Sequence, residues 1–135
     1  MRLYMDIETH IDGLATYIEA FSRSVEIDVA RDLFLGLVAS SPVDTGELRA
    51  GWSVSYGSPG KFRPPHIPKP AGWKKGNPPL HAIPVVPTFS QSGGKIFIYN
   101  NVPHLIYQNY GTDRLPPLYF VEGEIEKVRR KYAGM

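Results

Sequence analysis

The sequence predicts an α+β protein in which a long N-terminal helix lies across a small antiparallel sheet. Three observations carry this prediction. Apolar residues follow a helical spacing through the first 40 positions, two short stretches alternate or are apolar in the manner of strands, and a second helical stripe runs close to the C-terminal end. A chain of 135 residues is long enough to bury a core as one domain, so residues 1–135 are expected to fold as a single domain.

The N-terminal element is predicted from apolar residues that recur at steps of three and four. Such a stripe is typical of an amphipathic helix with one buried face. Thr9 with Asp12 is a candidate cap near its start. Residues 1–40 are therefore expected to form one long helix, and its stripe consists of Leu14, Ile18, Phe21, Val25, Val29, Leu33 and Leu37.

A chain reversal is predicted directly after this helix. Proline at position 42 stops the helix, and Asp44 followed by Glu47 has the form of a capping box for a new turn. Val43 and Leu48 have the spacing of a hydrophobic staple around the same turn. We call this segment the corner, and it consists of Pro42, Val43, Asp44, Thr45, Gly46, Glu47 and Leu48. Residues 41–56 are expected to hold the corner and one strand.

The strand is predicted from the alternation of Trp52, Val54 and Tyr56 with serines.

From residue 57 to residue 88 the chain contains nine prolines, which exclude both a helix interior and a central strand. Residues 57–88 are therefore expected to form a long extended loop, and we call this segment the basic loop.

The remaining segment, residues 94–135, is predicted to hold a strand and two helices. Residues 95–99 follow two glycines and read as a strand, and Pro103 opens a short helix that ends at Gly111. Another helix begins at Pro117. Its buried side is expected to carry Val121, Ile125, Val128 and Tyr132.

Charge is distributed unevenly along the chain. Residues 1–47 hold nine acidic and three basic residues, whereas residues 48–112 hold seven basic residues and no acidic one. A basic stretch of this kind favours an anionic partner, either DNA or an acidic neighbouring protein, with aromatic side chains adding stacking; a solvated flexible surface is the alternative. The candidate contact residues are Arg49, Lys61, Arg63, Lys69, Trp73, Lys74 and Lys75.

No pattern in the sequence points to an enzyme. The four histidines have no metal-ligand spacing, there is no cysteine, and no phosphate loop or nucleophile motif occurs. We therefore predict no catalytic residue, metal or cofactor. The first residues carry three acids and no apolar run, so neither a signal peptide nor a membrane-spanning helix is expected.

Two stretches together resemble a known family. SPVDTGELRAGW and, after it, IYNNVPHLIYQNYGTDRLPPLYF are similar to the head-to-tail joining and tail-completion (neck) proteins of tailed bacteriophages, the group that includes minor tail protein Z of phage lambda. The corner residues match the first motif of that family. The second motif is matched by Asn100, Tyr107, Tyr110, Gly111 and Thr112, whereas Asn109 stands where the family commonly has an acid.

The resemblance implies a structural role and no catalysis. Copies of the chain would form a ring, expected to be hexameric, at the head-to-tail junction of the virion, after assembly in the host cytoplasm. Its partners would be tail terminator or tail tube proteins on one side and head-completion or connector proteins on the other, with DNA in the central channel. The alternative is an independent nucleic-acid-binding module that uses the basic loop; a small hydrolase is a weaker third possibility.

Overall fold

The computed structural model describes residues 3–10 and 13–134, and it confirms the α+β class. Four antiparallel strands form one sheet, and its order is β1-β2-β4-β3. In chain order the elements are β1 (Tyr4–His10), β2 (Gly13–Glu19), α1 (Arg23–Ser40), α2 (Glu47–Ala50), β3 (Ser53–Tyr56), β4 (Ile96–Asn100), α3 (His104–Tyr110) and α4 (Phe120–Tyr132).

The predicted long N-terminal helix is wrong in its first half. The first two elements are strands that pair as a hairpin, and Thr9 lies inside β1 rather than at a helix start. Asp12, the other half of the predicted cap, lies outside the described residues. The pattern was ambiguous because Leu14 and Ile18 are four residues apart, a step that also places both on one face of a strand. Phe21, the next member of the stripe, is 69% exposed.

The second half of the helix prediction is confirmed. Helix α1 begins after Ser22, whose Oγ accepts a hydrogen bond from the Val25 amide at 3.3 Å, as a capping serine does. The predicted stripe is buried from that point onward. It comprises Val25, Val29, Leu33 and Leu37.

The sheet has two different faces. One row across the sheet joins Ile7, Thr16, Ile98 and Val54, and this face packs toward the helices. The opposite face holds a smaller cluster around Phe97. The basic loop lies next to that cluster where its backbone approaches Tyr99.

Helix α4 closes the core against α1. Gly36 permits a close approach, because a Cβ at that position would lie 2.4 Å from the Glu124 carboxylate. Lys131 and Tyr132 both donate to the Asp32 carboxylate at 2.7 Å. The predicted buried side of this helix is confirmed.

The outer edge of β1 is partly occupied by side chains. Arg129 of α4 donates to the Met5 carbonyl at 2.6 Å, and the Asp6 carboxylate accepts from the Ile7 amide at 2.9 Å. These contacts use backbone groups that an added strand would need, a common way of protecting a sheet edge.

Candidate binding cleft at the corner

The corner is not built by the predicted capping box. Helix α2 starts at Glu47 and is preceded by Gly46, which has a φ of 88° and makes no side-chain cap. The Glu47 amide instead donates to the Thr45 hydroxyl at 3.3 Å. Gly46 adopts the left-handed conformation that favours glycine, and this turn separates Asp44 from the helix that it was expected to cap.

Asp44 binds the basic loop. Its carboxylate lies 2.5 Å from the Lys69 ammonium and accepts a hydrogen bond from the Trp73 indole at 3.3 Å. These two contacts hold the pKa of Asp44 below its usual value, with the Lys69 bond as the largest cause. A charged, bonded partner explains why the carboxylate is directed away from a backbone amide.

The basic loop passes over the corner along a defined path. The amides of Leu80 and His81 both donate to the Thr45 carbonyl, at 2.7 and 3.0 Å. Residues 57–88 contain no helix or strand, as predicted from the prolines. The loop is therefore irregular but fastened to the corner by backbone and side-chain hydrogen bonds.

Between the corner, the loop and α3 lies a half-open cleft of about 410 Å³. Glu47 faces it with a side chain that is only 10% exposed, and its carboxylate lies 3.6 Å from the His66 imidazole. That separation is too long for a hydrogen bond. Pro42, Val43 and Ile67 form part of the apolar wall.

Helix α3 contributes His104 and Gln108 to the same cleft. Burial lowers the pKa of His104 below its usual value, and the positive charge of Arg63 acts in the same direction, against the opposing effect of Glu47. The imidazole is therefore mainly neutral at neutral pH. Within residues 3–10 and 13–134, no three histidine, cysteine, aspartate or glutamate side chains are grouped as a metal site requires.

The structure brings the two family-like motifs together at Asn100. This fully buried side chain donates to the Leu48 carbonyl at 2.8 Å and accepts from the Val102 amide at 2.9 Å. One residue of the second motif thus connects the corner to strand β4. The side chain satisfies the Val102 amide and gives the Leu48 carbonyl a second donor beside the Gly51 amide, which lies 3.2 Å from it.

The other residues of the second motif shape the connection from α3 to α4. Gly111 ends α3 with a φ of 79°, and Thr112 Oγ1 accepts from the Arg114 and Leu115 amides. Burial raises the pKa of Tyr110 to about 12, and a hydrogen bond with Glu122 acts in the same direction. Tyr107 is 56% exposed.

Asn109, the position that departs from the family pattern, is a buried structural residue that the sequence did not identify. Its amide donates to the Glu122 carboxylate at 2.7 Å, and its side-chain oxygen accepts from the Val121 amide at 3.1 Å. Its carbonyl also accepts from the Tyr119 amide. Asn109 therefore links the end of α3 to the beginning of α4. The feature of the sequence that could have indicated this role is Glu122, an acid in the first turn of α4 that can accept a hydrogen bond from Asn109.

The predicted DNA-contact residues do not form one group. Lys69 and Trp73 are engaged by Asp44, and Lys75 lines the cleft. The Arg49 side chain is partly buried, and its Nε has no hydrogen-bond partner within the described residues. Lys61, Arg63 and Lys74 are exposed, and no ion pair within the described residues involves them.

Comparison with protein-family models, curated proteins and solved structures found no match to this chain. The resemblance to phage neck proteins therefore rests on the two motifs. In the part of the chain that the structure describes, no helix is both long and apolar enough to cross a membrane.

Proposed function

We propose that this chain is a structural subunit of a tailed-bacteriophage virion, forming a ring at the head-to-tail junction. The ring is expected to be hexameric. It would lie between tail terminator or tail tube proteins and head-completion or connector proteins, with the genome's path through its centre. This role requires no catalysis.

The observation that supports the proposal best is the contact between the two motifs that carry the family resemblance. They lie about 50 residues apart in the sequence, yet Asn100 of the second is hydrogen-bonded to Leu48 of the first at 2.8 Å. A buried bond of this kind fixes the corner against the sheet. If the corner is fixed, every copy has the same angle between the surfaces that contact its two neighbours. A closed ring requires this, because the same contact is repeated around it.

The proposal is tested by the mass of the purified chain in solution and by its position in virus particles. We expect a concentration-dependent closed oligomer. We also expect the chain to be present at the exposed end of tails that lack heads, or at the connector of heads that lack tails. A chain that stays monomeric at all concentrations and never enters particles would contradict the proposal.

The second candidate is an independent nucleic-acid-binding module. The exposed Lys61, Arg63 and Lys74 of the acid-free stretch favour it. It predicts that the monomer binds duplex DNA with an affinity that falls steeply as salt rises, because phosphate contacts release counterions. The ring proposal predicts little binding by the monomer, so a titration of monomer with DNA at two salt concentrations separates the two.

A further inference from the structure

The corner cleft holds polar groups that the chain itself leaves without hydrogen bonds. The Glu47 side chain is 90% buried, and the imidazole of the exposed His66 lies 3.6 Å from its carboxylate. No hydrogen bond within the described residues reaches the side chains of His104 or Gln108. His104 and Gln108 are half-buried and still reach solvent, so an occupant of the cleft would replace water as the hydrogen-bond partner of these groups.

The charges around the cleft specify that occupant more closely. Asp44 is paired with Lys69, and the charge of Lys75 also acts on its carboxylate. Among the lining residues, Glu47 is the acid that forms no ion pair with a lysine or arginine, and Lys75 is the lysine that forms none with an acid, within the described residues. A fitting ligand therefore carries one positive and one negative group close together. Apolar atoms of Val43 and Ile67 in the wall add a preference for an aliphatic side chain beside them.

The loop between α3 and α4, residues 112–118, offers this combination. Asp113, Arg114 and Leu115 are consecutive and exposed, and no ion pair within the described residues involves the two charged ones. Leu115 is 45% exposed although it is apolar. The loop keeps its shape because Thr112 accepts from two of its amides. It does not line its own copy's cleft.

We propose that residues 113–115 of one copy dock into the corner cleft of a second copy, with Arg114 facing Glu47, Asp113 facing Lys75 and Leu115 against the apolar wall. The contact is head-to-tail, because two different surfaces meet. Repetition of such a contact closes a ring when the rotation per subunit permits it. The inference deepens the proposed function and rests on it, since it requires that copies of the chain assemble with one another.

Charge reversal on the exposed loop is the direct test, because these positions carry no buried contacts and the variants should fold. We expect Arg114→Glu and Asp113→Lys each to raise the dissociation constant of self-association at least about tenfold, since like charges then meet across the contact. Sedimentation velocity over a concentration series measures this constant. Circular dichroism of each variant establishes that the fold is retained.

A charge exchange supplies the specific control. Adding Lys75→Glu to Asp113→Lys restores opposite charges across the contact, and we expect it to recover most of the lost association. Lys74→Glu is the matched control, because Lys74 is exposed beside Lys75 and does not line the cleft. It should change the constant by no more than about twofold.

The outcomes separate this contact from the proposed function. If the wild-type chain assembles and both reversals assemble equally well, the contact is wrong while the ring proposal stands. Failure of the charge exchange to improve on Asp113→Lys would also contradict the contact. If the wild-type chain never self-associates, the contact is contradicted, and the ring proposal is contradicted as well if the chain is also absent from virus particles.

Discussion

At the scale of single residues, two buried asparagines each link two elements of the fold. Asn100 is fully buried between α2 and β4, and Asn109 is fully buried between α3 and α4. An asparagine side chain both donates and accepts, so each can satisfy a carbonyl or carboxylate and an amide at once. Neither an aspartate nor an apolar residue could do the same.

Asn109→Asp, which introduces the acid that the phage family commonly has, should destabilise this chain. The new carboxylate would face Glu122, whose carboxylate lies 2.7 Å from the Asn109 amide nitrogen. We expect a loss of about 2 kcal/mol in the free energy of unfolding, from the lost donor and the like charge. Urea denaturation at neutral pH measures it.

The double variant Asn109→Asp with Glu122→Gln is the matched control for that prediction. A glutamine amide can donate to the new aspartate, so most of the lost stability should return. If the double variant were as unstable as the single one, repulsion from Glu122 would not be the cause.

His104 should make stability depend on pH in the mildly acidic range. Burial lowers its pKa in the folded chain, so the unfolded chain takes up the proton first as pH falls. Stability should therefore decrease as pH falls below about 6.5, the ordinary histidine value, toward the lowered folded pKa. Urea midpoints at pH 7.5 and pH 5 measure the effect. His104→Gln should reduce the difference between them, and an unchanged difference would contradict the assignment.

At the scale of elements, the corner depends on contacts from distant segments more than on its own helix. Helix α2 has only four residues and no side-chain cap. Trp52 is buried and donates to the Ser41 hydroxyl at 2.7 Å, which ties the end of α1 to the beginning of β3. Asn100 fastens α2 to β4.

Asn100→Ala should lower the free energy of unfolding by about 2–4 kcal/mol. It removes both bonds. The Val102 amide is left without a partner, at a cost of about 1–3 kcal/mol, whereas the Leu48 carbonyl keeps the Gly51 amide at 3.2 Å and loses one hydrogen bond, worth about 1 kcal/mol. Thermal or urea unfolding measures the change. Asn77→Ala, at an exposed position in the basic loop, is the control and should have almost no effect. Equal small losses in both would mean that the buried bonds are not needed.

Asp44→Ala tests how the basic loop is fastened. Because Asp44 is not a cap, we expect its loss to loosen the loop through the Lys69 and Trp73 contacts rather than to unfold α2. Limited proteolysis should cut residues 57–88 faster in the variant, while far-ultraviolet circular dichroism stays the same. Asp28→Ala, which removes an exposed acid of α1, should leave the cleavage rate unchanged. Equal rates in both variants would show that the loop is held by other contacts.

At the scale of the whole molecule, α4 joins the two ends of the chain. Its residues bind Asp32 of α1 and the Met5 carbonyl of β1, contacts that span about 100 residues or more of sequence. The bonds from Lys131 and Tyr132 outweigh the burial of Asp32 and hold its pKa below the usual value. The C-terminal helix therefore closes the core instead of extending from it.

Tyr132→Phe should lower the free energy of unfolding by about 1–2 kcal/mol at neutral pH. It keeps the buried ring and removes only the hydrogen bond to the Asp32 carboxylate. Urea denaturation measures the loss. Tyr107→Phe, which alters an exposed tyrosine, should leave stability unchanged. A Tyr132→Phe variant as stable as the wild type would show that Lys131 alone satisfies the carboxylate.

Several elements could be predicted from the sequence because their signals are local. The prolines of residues 57–88 exclude regular structure whatever surrounds them, Gly111 ends α3 with a positive φ that favours glycine, and the stripe of α4 fits only a helix. The first strands were missed because Leu14 and Ile18 satisfy both the helical and the strand period. Pairing with β4 selected the strand, and that partner lies more than 75 residues away.

The sequence by itself determined the α+β class, the irregular basic loop and the uneven distribution of charge. Only the tertiary structure decided that Asp44 binds the basic loop instead of capping α2, that Asn100 joins the two motifs and that Glu47 faces a cleft. The reason is physical: a side chain's hydrogen-bond partner is set by competition among all groups within reach. Which groups come within reach depends on contacts between residues far apart in the chain.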